Sequence, residues 1–277
     1  MSNTWESQRP ARVDRVTGTG WLILALRLVV LLAIIVPGVI AVLVLRLVET
    51  FFFDRRRPLT ARLQRWAIWA GLHVIGLRYR REGRPMQSHG AVVANHASWL
   101  DIFALGAGQA ITFVSKAEVA GWPGIGFLAR IVGTVFISRN PRQADAQRNQ
   151  LKAELDAGRK LLFFPEGTST DGMRVLPFKS SLFAAFSDLE AGLRIQPVTV
   201  VYIAPDGLEE PRFYGWWGDM DLGPHMLQVL SRFPQGGVRV IYHEPISVSD
   251  YPDRKALART LEAKVRSAMP PEVALPG

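Results

Sequence analysis

The stretch Ala91-Val92-Val93-Ala94-Asn95-His96-Ala97-Ser98-Trp99-Leu100-Asp101 decides how this chain folds. Its first four residues form an unbroken apolar run, the pattern of a strand buried on both faces. The run breaks into a polar loop at Asn95-His96, and Ser98 is a good N-cap for a helix read from Leu100 to Leu105. The same alternation continues downstream. Ile111 to Val114, Thr134 to Ile137, Lys160 to Phe164, Ile195 to Ile203 and Val238 to Tyr242 read as further strands. Helical patterns cover Ile125 to Ile131 and Ala144 to Ala157, with Gly158 as C-cap. A last helix runs from Arg254 to Ala268, ahead of the helix-breaking Pro270-Pro271. Strands alternating with helices give a single α/β domain over residues 85–277 with a largely buried sheet.

The N-terminal third has a different texture. A basic tail, residues 1–20, precedes a membrane segment over residues 21–48. No residue from Leu28 to Leu45 is charged, and eighteen such residues reach the lower bound for a spanning helix. Pro37-Gly38 sits in the middle, so a spanning helix and a re-entrant hairpin both remain open. Residues 49–84 are a basic amphipathic region in which Leu63, Trp66, Trp69, Ala70 and Leu77 follow helical spacing, with Arg62 and Arg65 read on the opposite face. Such a helix either packs on the domain or lies at a membrane interface, its Trp side chains at headgroup depth. Arg46, Arg55, Arg56, Arg57, Arg62 and Arg65 follow the membrane segment, which puts the rest of the chain on the cytoplasmic side, here the inner membrane.

Charge and composition narrow the partners. Over 277 residues, Lys and Arg number 33 against 24 Asp and Glu, a net charge of +9. That balance favours an anionic partner, and eight Trp with the apolar segment point to acidic membrane lipid rather than nucleic acid. With no Cys, a thiol nucleophile, Cys-ligated zinc and disulfides are excluded. The five histidines show no metal-ligand spacing, so no metal site is expected. Gly124-Ile125-Gly126-Phe127-Leu128-Ala129 spells a dinucleotide fingerprint, but Gly121-Trp122-Pro123 precedes it instead of a strand, and helix packing is the better account. Neither a GxSxG elbow nor a P-loop is present.

The chemistry gathers at strand ends. His96 and Asp101 are five apart, about 140° in a continuous helix, so they meet only if His96 stays in the loop and Asp101 lies in the first helical turn. Asp101 then accepts from one imidazole nitrogen and leaves the other as a general base. The competing reading makes Asp101 a helix N-terminal acid and His96 a surface residue. Two more strands end in polar groups: Gly133 to Arg139, and Phe163-Phe164-Pro165-Glu166-Gly167-Thr168-Ser169.

Asn-His-x-Ser-x-x-Asp, Gly-x-x-Phe-Ile-x-Arg and Phe-Pro-Glu-Gly-Thr in this order, with Pro197 opening an apolar strand, resemble the glycerolipid acyltransferase family. The resemblance implies a mixed sheet flanked by helices, and an enzyme moving a fatty acyl group from acyl-CoA or acyl carrier protein to the free hydroxyl of a lysolipid, without a cofactor. It implies that His96 is the base and Asp101 its orienting acid. Asn95, Ser98, Arg139, Glu166, Gly167 and Thr168 are then expected around the substrate. Ser169 departs from the Arg usual in phosphatidate-forming members, although Arg174 or Lys179 could compensate. With Trp216-Trp217-Gly218-Asp219-Met220, this looks closer to the lyso-ornithine lipid branch. A lysolipid hydrolase using the same pair, and a basic membrane-binding protein without activity, are the rival readings.

Overall fold

The computed structural model describes residues 5–7, 13–53, 57–138, 141–184 and 192–270. Eight strands form one sheet: β1 (Arg78–Glu82), β2 (Gly90–Ala94), β3 (Thr112–Lys116), β4 (Val135–Ile137), β5 (Lys160–Phe163), β6 (Arg194–Ile203), β7 (Gly237–Tyr242) and β8 (Ile246–Ser247). The spatial order is β1-β7-β6-β2-β5-β3-β4, with β8 on β6. The neighbours of β2 are parallel to it, whereas β6 and β7 run antiparallel, so the sheet is mixed.

Residues of β2 alternate between two cores. Ala91 and Val93 join Leu161, Phe163, Leu151, Leu155, Leu257 and Leu261 on one face. Val92 and Ala94 join Leu162, Val198, Val200, Val238 and Leu105 on the other. Burial on both faces explains the continuous apolar spelling of 91–94. Helices α3 (Asp101–Gly108) and α4 (Ile125–Val132) follow β2 and β3. Helix α5 (Ala144–Asp156) docks through Leu151 and Leu155, at roughly 1.5–3 kcal/mol for each buried side chain. Helices α6 (Leu222–Ser231) and α7 (Arg254–Ser267) complete the domain.

Strand β1 lies upstream of the domain start read at residue 85. Its sequence, Arg78-Tyr79-Arg80-Arg81-Glu82, is mostly charged and half exposed, as an edge strand can be, and carries no apolar signal. The two-residue β8 was equally silent.

The N-terminal segment is one continuous helix, α1 (Gly18–Phe52), which passes through Pro37 without a turn, so the hairpin alternative falls. Thr17 caps it, its hydroxyl accepting from the Gly20 N–H at 3.1 Å. It is long and apolar enough to cross a membrane, and only 6% of its most apolar window is buried. One face is nevertheless docked. Gly20, Leu24, Arg27, Val42 and Glu49 are buried, and Arg27 donates to the carbonyls of Leu230 and Arg232, both at 2.7 Å. Leu22, Leu26, Val29, Val36, Ile40, Leu43, Leu47 and Phe51 form the exposed apolar face.

Helix α2 (Pro58–Ile75) packs through Thr60, Gly71, Leu72 and Ile75. A Cβ on Gly71 would lie 2.8 Å from the Phe103 ring, so only glycine permits this approach to α3. Trp66 and Trp69 point outward. Arg62 and Arg65, read from the sequence on the opposite face, are exposed one turn before Trp66 and Trp69 and share their side, because residues four apart are helix neighbours.

Candidate active site

His96 leaves β2 in an extended loop, and the α-helix starts at Asp101, one residue after the expected Leu100. An intervening turn closes with the Asp101 N–H donating to the Ser98 carbonyl at 3.1 Å. Leu100, not Ser98, is the N-cap, and Ser98 instead ties the turn ahead of the helix: its hydroxyl accepts from the Leu100 N–H at 3.3 Å, while the Asp101 carboxylate accepts from the Ser98 N–H at 3.1 Å. These bonds direct Asp101 back toward the loop.

That geometry brings the pair together. His96 Nδ1 lies 2.7 Å from Asp101 Oδ2. The same oxygen accepts from the Ala97 N–H at 2.9 Å, and Oδ1 accepts from the Tyr202 hydroxyl at 2.8 Å. Asp101 is wholly buried, whereas the His96 side chain is 23% exposed. With Nδ1–H donating to the carboxylate, Nε2 is left with its lone pair, the arrangement a general base requires. The imidazole stacks on Phe164, ring centres 4.0 Å apart. Tyr202 was not singled out in the sequence, where it is one more residue of an apolar strand. Burial, then the Asp101 charge, pushes its phenol well above the ordinary range, so it remains a donor.

The Glu-Gly-Thr turn holds the His96 main chain from both sides. Glu166 Oε1 accepts from the His96 N–H at 2.7 Å, and Thr170 donates its N–H to the His96 carbonyl at 2.9 Å. The other oxygen of Glu166 accepts from Leu176 N–H at 2.7 Å. Burial pushes the Glu166 carboxyl up to about 8, against the pull of these two N–H groups. Gly167 has φ +71, and a Cβ there would lie 2.9 Å from Lys179 Nζ. The Lys179 ammonium therefore rests over the turn.

The remaining expected residues divide. Thr168 is half-buried beside this turn and its hydroxyl accepts from Trp5 N–H at 3.4 Å. Asn95 is wholly buried, and its amide exchanges two hydrogen bonds with the Val200 main chain at 2.9 and 2.8 Å. It clamps β2 to β6 instead of facing a substrate. Ser98 and Glu166 likewise have their polar atoms on the main chain, which makes all three positioning residues. Arg139 lies outside the described residues. Arg174 is paired with buried Asp171 at 3.3 Å and covered by Trp5, its guanidinium 5.0 Å from the ring centre. Among the described residues no cluster could hold a metal ion.

A buried acid, an oriented imidazole and a free ring nitrogen at the end of a parallel strand are the parts of an acyltransferase, and the family model described as Acyltransferase matches residues 71–201. The chain belongs to the glycerolipid acyltransferase family. It is 51% identical to the lyso-ornithine lipid O-acyltransferase of Rhodobacter capsulatus, over 94% of each chain. The lyso-ornithine lipid O-acyltransferase of Brucella abortus is 39% identical over 68% of this chain and 72% of its own. The 1-acyl-sn-glycerol-3-phosphate acyltransferase of Neisseria meningitidis is 33% identical over 68% and 73%. In fold, the chain matches the crystal structure of the Thermotoga maritima 1-acyl-sn-glycerophosphate acyltransferase PlsC with a TM-score of 0.63, at 22% identity and covering 90% and 94% of the two chains.

Proposed function

We propose that this enzyme transfers a fatty acyl group from acyl-CoA or acyl carrier protein to the free hydroxyl of lyso-ornithine lipid. The observation carrying the reading is the His96–Asp101 pair with its free Nε2. Nε2 takes the hydroxyl proton as the oxygen attacks the thioester carbonyl. Asp101 stabilises the imidazolium, and the proton passes to the departing thiolate as the new ester forms. Base catalysis of this kind contributes about 10²–10⁴-fold, so His96→Ala should lose at least that factor.

The acceptor is argued from charge. Ser169 replaces the arginine that would grip a phosphomonoester, and Arg174 is already neutralised by Asp171. Lys179, over the Glu-Gly-Thr turn, is left to receive a single negative charge, such as the carboxylate of an ornithine headgroup, with Arg139 expected from the sequence to hold the polar part of the acceptor. The similarity to the Rhodobacter capsulatus lyso-ornithine lipid O-acyltransferase over almost the whole chain supports the same acceptor.

Helix α1 is about 52 Å long, more than the 30 Å of a hydrocarbon core, and one face is docked along its length. Its exposed face, with Trp66 and Trp69, seats the domain on the cytoplasmic face of the inner membrane. Phe51→Ser with Phe52→Ser should weaken retention in alkaline-washed membranes, and unchanged retention would refute this seating.

Labelled acyl-CoA and acyl carrier protein, each offered with lyso-ornithine lipid and lysophosphatidate, test the function. A higher kcat/KM for lyso-ornithine lipid is expected. Equal or reversed preference would overturn the acceptor, and fatty acid release from lysolipid without a thioester would identify a hydrolase.

A further inference from the structure

A cavity of about 470 Å³ opens at the other end of the sheet from His96, where β3 and β5 begin and beneath the corner between α1 and α2. This volume falls within the range of small-ligand sites. Arg46, Arg57, Arg65, Arg81, Arg159 and Lys160 line it, and among the described residues its wall contains no carboxylate. Two acids stand just behind. Glu154 pairs with Arg159, and Glu49 is held by the Leu59 and Thr60 N–H groups at 2.5 and 3.1 Å. Among the described residues, six cations against two carboxylates leave a strongly positive enclosure, and Arg46 feels the charge of both Arg57 and Arg159.

Some of these cations have structural work. Arg46 donates to the Ile131 carbonyl at 2.5 Å at the end of α4, and Lys160 donates to Met86 and Gln109 carbonyl oxygens. That does not account for the rest. Gln109 is 4% exposed, lines the cavity, and its side-chain N–H₂ has no partner among the described residues. The Nε atoms of Arg46 and Arg57 are buried without partners there too. Arg57 is the only non-glycine with positive φ among the described residues, at 42°, a strained setting; its carbonyl accepts from the Ala61 N–H at 3.1 Å, which leaves its side-chain Nε without a partner there. Unmatched donors around concentrated positive charge call for an anion with several acceptor oxygens.

We propose that this cavity binds the phosphate group of an anionic membrane phospholipid, at a site separate from the acyl-transfer centre. Its position selects the source. Arg46 and Arg57 flank the end of α1, where Phe51 and Phe52 are 77% and 76% exposed, and the exposed Trp66 and Trp69 belong to the same helix as Arg65. With Phe51 and Phe52 in the acyl region and Trp66 and Trp69 at headgroup depth, lipid headgroups sit at the depth of the cavity. Burial lowers the Lys160 pKa, and a phosphate beside it would favour the charged ammonium.

The test uses the full chain in neutral detergent. Thermal unfolding is followed against phosphatidylglycerol, phosphatidylcholine and inorganic phosphate. Phosphatidylglycerol should raise Tm saturably and phosphatidylcholine should not. Arg57→Gly with Arg65→Gln relieves the backbone strain while removing two cations, and should weaken the apparent phosphatidylglycerol affinity by roughly tenfold or more. Activity on detergent-dispersed acceptor should stay unchanged. If the pair does not fold, Arg65→Gln alone, at an exposed position, should lose about fivefold. A wild-type response in these variants, or an equal loss in an Arg254→Gln/Arg259→Gln control on α7, overturns the site. A full shift from inorganic phosphate at submillimolar concentration overturns the lipid assignment.

Discussion

Glu166 accepts the main-chain N–H of His96 at 2.7 Å, so the acid of the Glu-Gly-Thr turn grips the backbone of the proposed base rather than its ring. Because Thr170 takes the His96 carbonyl, two strand-end loops are locked as one unit. The imidazole then has its backbone fixed by β5's loop, its ring fixed by Asp101 and its face covered by Phe164. Preorganisation of this kind limits the reorientation needed at the moment of proton transfer.

Tyr202 holds the far oxygen of Asp101. Removing one donor to a buried charge costs on the order of 1.5–3 kcal/mol. Tyr202→Phe should therefore lower kcat by roughly tenfold with KM for both substrates unchanged, because the lost contact acts through Asp101 on the base. Steady-state kinetics decide this. A variant that loses stability but keeps wild-type kcat would show that Tyr202 only packs.

Glu166 makes stability depend on pH. Its folded pKa of about 8 exceeds the ordinary 4.5, so the folded state holds a proton that the unfolded chain releases between those values. The contribution is fully present below about pH 4.5 and disappears as pH rises through 8, on the order of a few kcal/mol in all. In Glu166→Gln this dependence should vanish. The variant should also lose about 1–3 kcal/mol, because its amide N–H₂ would face a backbone N–H. Thermal unfolding of both proteins from pH 5 to 9 in detergent checks it. Parallel curves would contradict the assignment.

Asp171 bears on acceptor choice. Asp171→Asn would free the Arg174 guanidinium beside the Glu-Gly-Thr turn. A charge-assisted contact to a phosphomonoester is worth enough to shift kcat/KM toward lysophosphatidate by roughly tenfold relative to lyso-ornithine lipid. Competition between the two acceptors reads the ratio directly. If the ratio does not move, the charge argument for the acceptor fails.

The sequence by itself determined the six strands β2 to β7, helices α3, α4, α5 and α7 and, through its motifs, the His96–Asp101 pair, but it gave no sign of α6. Those features are written locally: a doubly buried strand must be continuously apolar, and Ser98 and Asp101 bond to each other within one turn. What only the tertiary structure decided depends on partners distant in sequence. Edge strand β1 exists because β7 offers a parallel neighbour, not because Arg78-Tyr79-Arg80-Arg81-Glu82 favours a strand. Asn95 and Glu166 carry polar side chains at strand ends, which in the sequence look the same whether they face substrate or main chain. Val200 and the His96 N–H, 105 and 70 residues away, make them clamps. Tyr202 gave no signal for the same reason: its place beside Asp101 follows from the pairing of β6 with β2, and no local spelling records a register.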